Sequence, residues 1–197
     1  KIVNQAKTAL GGDNRCGCGV LVTLADLPFV SLRHGLPQAL LTGRASYNQT
    51  VEAARSALAV PELALDLEAR RIKAGGKHFS LPPAELALLS VFARGALRGE
   101  PPLPAPSKEA PDLEWKNRYL LEMRWIDGLR GERENTERAL RNGMDGSYFS
   151  THLSKLRKIL VRELGPAAAP YLISDGGTRP RQYRLELRPD AVSYGRI

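Results

Sequence analysis

The chain has 197 residues with 29 basic against 21 acidic side chains, a formal net charge of +8 and a pI near 9.8. A composition of 43% hydrophobic and 6% aromatic residues is that of a globular protein with enough apolar side chains for one large domain or two small ones. It contains no run approaching the roughly 20 apolar residues of a membrane span, and no secretory leader is visible, so a soluble, cytoplasmic protein is expected. The charge favours polyanionic partners without choosing among DNA, RNA and small phosphates. The first residue is Lys1 rather than Met, and the glycines near Asp13 read as an odd join; both suggest a fragment or a chain with a segment missing.

Taken in order, the sequence opens with two cysteines, Cys16 and Cys18, separated by one residue in a glycine-rich turn. They lack the further ligands of a structural zinc site, and His34 and His78 stand at no metal-like spacing to them, so no metal and no cofactor are expected. Val20 to Leu24 is short, β-branched and bounded by glycine, which predicts a strand. Arg33, His34 and Gly35, followed by Pro37, allow two readings. One is a phosphate cradle, with a guanidinium fork, a switchable imidazole donor and a glycine that admits backbone N–H groups. The other is a surface turn leading into the helix that starts near Pro37. Gly43 ends that helix, and Ser46 caps the next, which carries Tyr47, Val51, Ala54 and Leu58 on one face. A strand, a turn and two helices cannot close a doubly wound sheet. Residues 1–60 therefore read as the tail of a larger Rossmann-like domain or as part of a dimer interface.

A second unit, 61–197, begins with Leu63, Leu65 and Leu67 alternating with small or polar residues. ARRIKA and KHFSL flank Gly75-Gly76, a hairpin turn needing positive φ at both glycines, so a small antiparallel meander is expected. Pro83 and Glu85 open a helix to about Leu97. The segment 98–113 holds Pro101, Pro102, Pro104, Pro106 and Pro111, which predicts a stiff linker. A helix with Trp115, Tyr119, Met123 and Ile126 on one side follows it, and then another from Glu132 to Asn142.

The stretch Ser147 to Leu164 has two faces of opposite chemistry. Phe149, Leu153, Leu156, Leu160 and Leu164 form one; Thr151, Ser154, Lys155, Lys158 and Arg162 form the other. Tyr171 to Ile173, then DGGTRPRQ, then Tyr183 to Leu187 predict two strands joined by a turn carrying Arg179 and Arg181. A helix followed by a basic hairpin is the layout of a winged helix. Thr151, His152 and Ser154 are the candidates for reading bases, and Lys155, Lys158, Arg179 and Arg181 for holding phosphates. An ordinary core helix with a solvated face is the competing reading.

LALDLEARRIKAGGKHFSLPPAELALLSVFAR, HLSKLRKIL and YLISDGGTRPRQYRLEL resemble the winged-helix output domain of OmpR- and PhoB-type response regulators over Leu63 to Leu187, apart from the proline-rich insertion. With LADLPFVSLRHGLPQALLTGRASYNQTVEAARSAL and GMDGSYFSTHLSKLRKILVRELGPAAAPYLI added, the chain resembles the CRISPR-associated family that joins a Rossmann-like CARF sensor of cyclic oligoadenylate to a C-terminal winged helix, commonly labelled a ring nuclease. That resemblance implies an α/β plus α+β protein: the end of a CARF domain over 1–60 and a winged helix-turn-helix domain over 61–197. It also implies a homodimer and a role in type III antiviral signalling through cyclic tetra-adenylate; the remnant's inability to bury Val20, Leu24, Phe29, Val51 and Leu58 alone likewise predicts a symmetric homodimer built on the missing part, with help from the Trp115 to Ile126 helix. In a metal-independent cleavage a ribose 2′-hydroxyl attacks its own phosphate, so the protein need only orient and stabilise. On that basis Arg33 and His34 are the catalytic candidates, and Gly35, Arg44, Ser46 and Tyr47 the ligand-binding ones. A DNA-binding regulator controlled by a nucleotide is the alternative, with double-stranded DNA as partner. No Arg-x4-His ribonuclease motif of HEPN type is evident.

Overall fold

A computed structural model describes residues 60–126, 130–177 and 179–197. The expected strand at Val20, both cysteines, and the candidate ligand residues Arg33, His34, Gly35, Arg44, Ser46 and Tyr47 lie outside the described residues. What is described is mixed α/β, with four helices and two sheets.

The first sheet grows from alternation. In β1 (Leu63–Asp66), β2 (Arg71–Ala74) and β3 (Lys77–Ser80), Leu63, Leu65, Ile72 and Ala74 are buried on one face. β2 and β3 pair antiparallel across Gly75 and Gly76, whose φ values of 55° and 75° are those a two-residue hairpin turn requires. The meander expected from sequence is present, and it gains a fourth strand: β7 (Val192–Tyr194) lies parallel to β1, giving the order β3-β2-β1-β7.

Helix α1 (Pro83–Arg98) starts with proline in its first turn and stops at Gly99, which adopts the left-handed conformation. Its Leu86, Leu88, Leu89 and Phe92 are buried. The proline-rich segment that follows is not a free linker. Leu103–Pro104 forms strand β4, which pairs with β6 (Gln182–Leu185), and the second sheet has the order β4-β6-β5, where β5 is Ile173–Ser174. Proline is tolerated there because β4 is an edge strand. Pro106 is buried, and its carbonyl oxygen sits 2.9 Å from where a Cβ on Gly146 would be.

Asp112 caps helix α2 (Leu113–Met123) by accepting a hydrogen bond from Trp115 N, and its backbone bridges to Met144. Trp115, Tyr119 and Met123 enter the core from α2, whereas Ile126, also buried, lies beyond the helix end. Helix α3 spans Arg130–Ala139, shifted about a half-turn toward the N-terminus of the expected range. Helix α4 (Gly146–Leu164) leads through a 3-10 segment (Gly165–Tyr171) into β5, so Tyr171 and Leu172 precede the strand rather than belonging to it.

A polar network crosses the core. Ser90 Oγ donates to Glu122 Oε2 at 2.6 Å, Arg94 donates to the same carboxylate, and Tyr194 OH donates to the Ser90 carbonyl at 3.0 Å. Burial pushes the Tyr194 hydroxyl up to about 12, against the opposing pull of Ser90 and Arg94. Tyr119 and Tyr148 are also raised, chiefly by burial. An unfolded tyrosine ionises near pH 10, and the folded one keeps its proton to about 12, so in that window the folded state binds more protons and stability falls as pH rises. Denaturant titrations at pH 9, 10 and 11 are expected to show this decline beginning near pH 10, and Tyr194→Phe is expected to make it shallower; an equal decline in the variant would remove Tyr194 as a contributor.

Candidate nucleic-acid interface

Helix α4 begins where Asp145 Oδ1 accepts a hydrogen bond from Tyr148 N at 2.7 Å. Phe149, Leu156, Leu160 and Leu164 are buried and Leu153 half-buried, in keeping with the apolar stripe read from sequence. The Phe149 ring lies 5.1 Å from that of Trp115 and 5.0 Å from that of Tyr183, so one side chain joins α4 to α2 and β6. At the other end, Lys77 Nζ donates to the Glu163 carbonyl at 2.9 Å, placing a cation at the negative end of the helix dipole. Gly75 N donates to Tyr171 OH at 2.8 Å, so the β2–β3 turn holds the segment just beyond α4.

The opposite face of α4 is open to solvent. Thr151, Ser154, Lys155, Lys158 and Arg162 are exposed. Among the described residues no carboxylate pairs with Lys155 or Lys158, while Arg162 is taken up by Glu163 at 2.6 Å. Beside this face stands the β5–β6 hairpin, in which Ile173 faces Leu185 and Ser174 faces Arg184. Its turn is shaped by Gly176 and Gly177, both at positive φ, and by Asp175 Oδ1, which accepts from Gly177 N at 3.1 Å. Arg179 and Arg181 are exposed there, the latter 3.5 Å from Asp175.

Between helix and hairpin runs a groove of about 580 Å³ with Leu156, Ile173 and Tyr183 among its apolar walls and Ser154, Arg157 and Arg181 among its polar ones. Two sequence candidates, Ser154 and Arg181, thus meet at one surface. Arg157 joins them, although sequence reading passed over it: it lies outside the row 151-155-158-162, and only the hairpin's position gives it a place. His152 is drawn away from the group. Its Nδ1 lies 2.9 Å from Glu85 Oε1 on α1 and its ring sits 4.3 Å from that of Tyr148, tilted by 45°, leaving the side chain 16% exposed.

Among the described residues no cluster of three or more His, Cys, Asp or Glu side chains could hold a metal ion, and no helix is long and apolar enough to cross a membrane. The arrangement offers cations and hydroxyls along a groove that is also lined by Asp175 and Glu186. No family model, curated protein or solved structure matches the chain.

Proposed function

We propose that residues 63–197 are a winged-helix domain that binds double-stranded DNA, with α4 as the helix entering the major groove and the β5–β6 hairpin as the wing. The observation that carries this reading is the solvent face of α4, with Lys155 and Lys158 free of carboxylates among the described residues, set beside a hairpin that carries Arg179 and Arg181. A core helix has no need of an open cationic face with a second basic element next to it. The major groove, about 12 Å wide, admits an α-helix. Lys155, Arg157, Lys158, Arg179 and Arg181 then hold phosphates and set the register, and Thr151 and Ser154 reach base edges. His152, bound to Glu85, positions the first turns of α4 against α1 and does not read bases.

The cyclic oligoadenylate reading draws on Arg33, His34, Gly35, Arg44, Ser46 and Tyr47. All six lie outside the described residues, whereas the DNA reading rests on described ones.

Fluorescence anisotropy with a labelled mixed-sequence duplex tests the proposal. Neutralising about five phosphates gives a log–log slope of affinity on salt near −4 to −5. A steep slope in that range is expected between 50 and 300 mM salt. Absent binding at 50 mM, or a flat dependence, would overturn the reading.

A further inference from the structure

The proline-rich segment forms a strap across the start of α4. Pro104 is held in β4 against β6, and its carbonyl accepts a hydrogen bond from Trp115 Nε1 at 2.8 Å. Ser107 O accepts from Gly146 N at 2.9 Å, and Asp112 and Met144 exchange two backbone hydrogen bonds at 2.8 and 2.9 Å. Residues 104–112 therefore run from the wing's sheet over the first residue of α4, fixed at both ends and in the middle. The fit is close. A Cβ on Gly146 would lie 2.9 Å from the Pro106 carbonyl oxygen and 3.0 Å from Lys108 Cγ, and one on Gly143 would lie 2.9 Å from Pro111. Glycine at these two positions leaves the strap its room.

The strap carries Lys108 to a defined place. Its aliphatic stem lies against Gly146 and the side chain is exposed. Gly146 and Arg157 are eleven residues apart, which brings a helix back to within about 20° of the same side, three turns or about 16 Å further along. Lys108 thus stands at the N-terminal end of the flank of α4 whose later turns, with Arg157, line the groove beside the hairpin. The rim of a major groove is a line of phosphates, one for about every 3.4 Å of duplex axis on each strand. Cations three turns apart on one flank of a helix in that groove meet different phosphates of the same rim.

The charge at this end of the helix is chiefly of one sign. Lys116, one turn into α2 from the strap's far end, donates to the Arg141 carbonyl at 3.0 Å. Among the described residues none of Lys108, Lys116 and Arg141 pairs with a carboxylate. Asp112 and Asp145 are occupied as helix caps, which leaves Glu109 as the strap's one uncommitted acid. We infer that residues 104–112 are a third DNA-contacting element beside α4 and the wing, with Lys108 holding a backbone phosphate at the N-terminal end of α4. The inference rests on the DNA reading of α4, and its test separates the two.

Fluorescence anisotropy with the same labelled duplex compares the parent with Lys108→Met, Lys108→Arg and Glu109→Gln. Methionine keeps an aliphatic stem against Gly146 and removes the charge, so thermal melting and circular dichroism are expected to match the parent. Affinity of Lys108→Met is expected to fall ~10-fold for every sequence alike, with a salt slope shallower by about 0.9, the signature of one lost phosphate contact. Lys108→Arg is expected to keep parent affinity, and Glu109→Gln to exceed it by ~2-fold. A strap that only braces α4 would leave Lys108→Met with the parent's affinity and slope. That result, with a parent that binds steeply, would overturn this inference and leave the DNA reading standing; a parent that binds no duplex at 50 mM salt would overturn both. Weaker binding with an unchanged slope, not restored by arginine, would also overturn the inference, because a displaced helix and not a lost phosphate contact would then be the cause.

Discussion

Reversing Lys155, Lys158 and Arg179 to glutamate is expected to lower affinity for duplex DNA by at least ~10³-fold at 150 mM salt, and to do so for every sequence alike. Hydrogen bonds to charged groups contribute about 1.5–3 kcal/mol each, so losing three and adding repulsion suffices for that loss. The salt slope should become shallower by about 0.9 for each phosphate contact removed. All three side chains are exposed, so circular dichroism and thermal melting should match the parent. Thr151→Ala combined with Ser154→Ala should instead leave non-specific affinity nearly intact and change the ranking among sequences, because phosphate contacts position and base contacts specify. Parent-like affinity in the triple variant would return α4 to a structural role.

Phe149→Ala is expected to have the largest effect on stability, about 3–5 kcal/mol, the usual loss for deleting a buried aromatic ring. At 1% exposure Phe149 touches the ring cluster of Phe92, Trp115 and Tyr183, contributed by α1, α2 and β6. The hole left behind has walls on every helix that matters to the interface, and few of them can move to fill it. Guanidinium unfolding monitored by circular dichroism reads the effect as a lower midpoint with an unchanged slope. A loss below about 1.5 kcal/mol would mean that the four rings do not pack as one unit.

Much of this architecture is legible in the sequence because it is locally encoded. Gly75-Gly76 announces a hairpin, Pro83 and Glu85 a helix start, and the two faces of 147–164 a surface helix, since each signal lies within a turn or two of its consequence. Two features escaped for physical reasons. β4 is two residues long and half proline, so no propensity marks it; it exists because β6 offers an edge. β7 pairs in parallel with a strand more than a hundred residues earlier, and no local pattern in Val192 to Tyr194 points to that partner. At the interface, the row of cations along α4 was visible by counting. The inward turn of His152 was not, because it depends on Glu85 arriving from α1. Arg157 was hidden by the opposite fault: it is off the helical row and acquires its place only from the hairpin.

The parallel seam between β1 and β7 also sets a schedule for synthesis. Leu63 and Leu65 leave the ribosome early, but the strand that completes their sheet is made only when residues 192–194 are, on the order of ten seconds later at ordinary elongation rates. Through that interval β1 has an open edge, and open edges recruit foreign strands. A chain interrupted anywhere in between leaves β1 at the edge of a three-stranded sheet, with Leu63 and Leu65 lacking the strand they pair with in the complete protein.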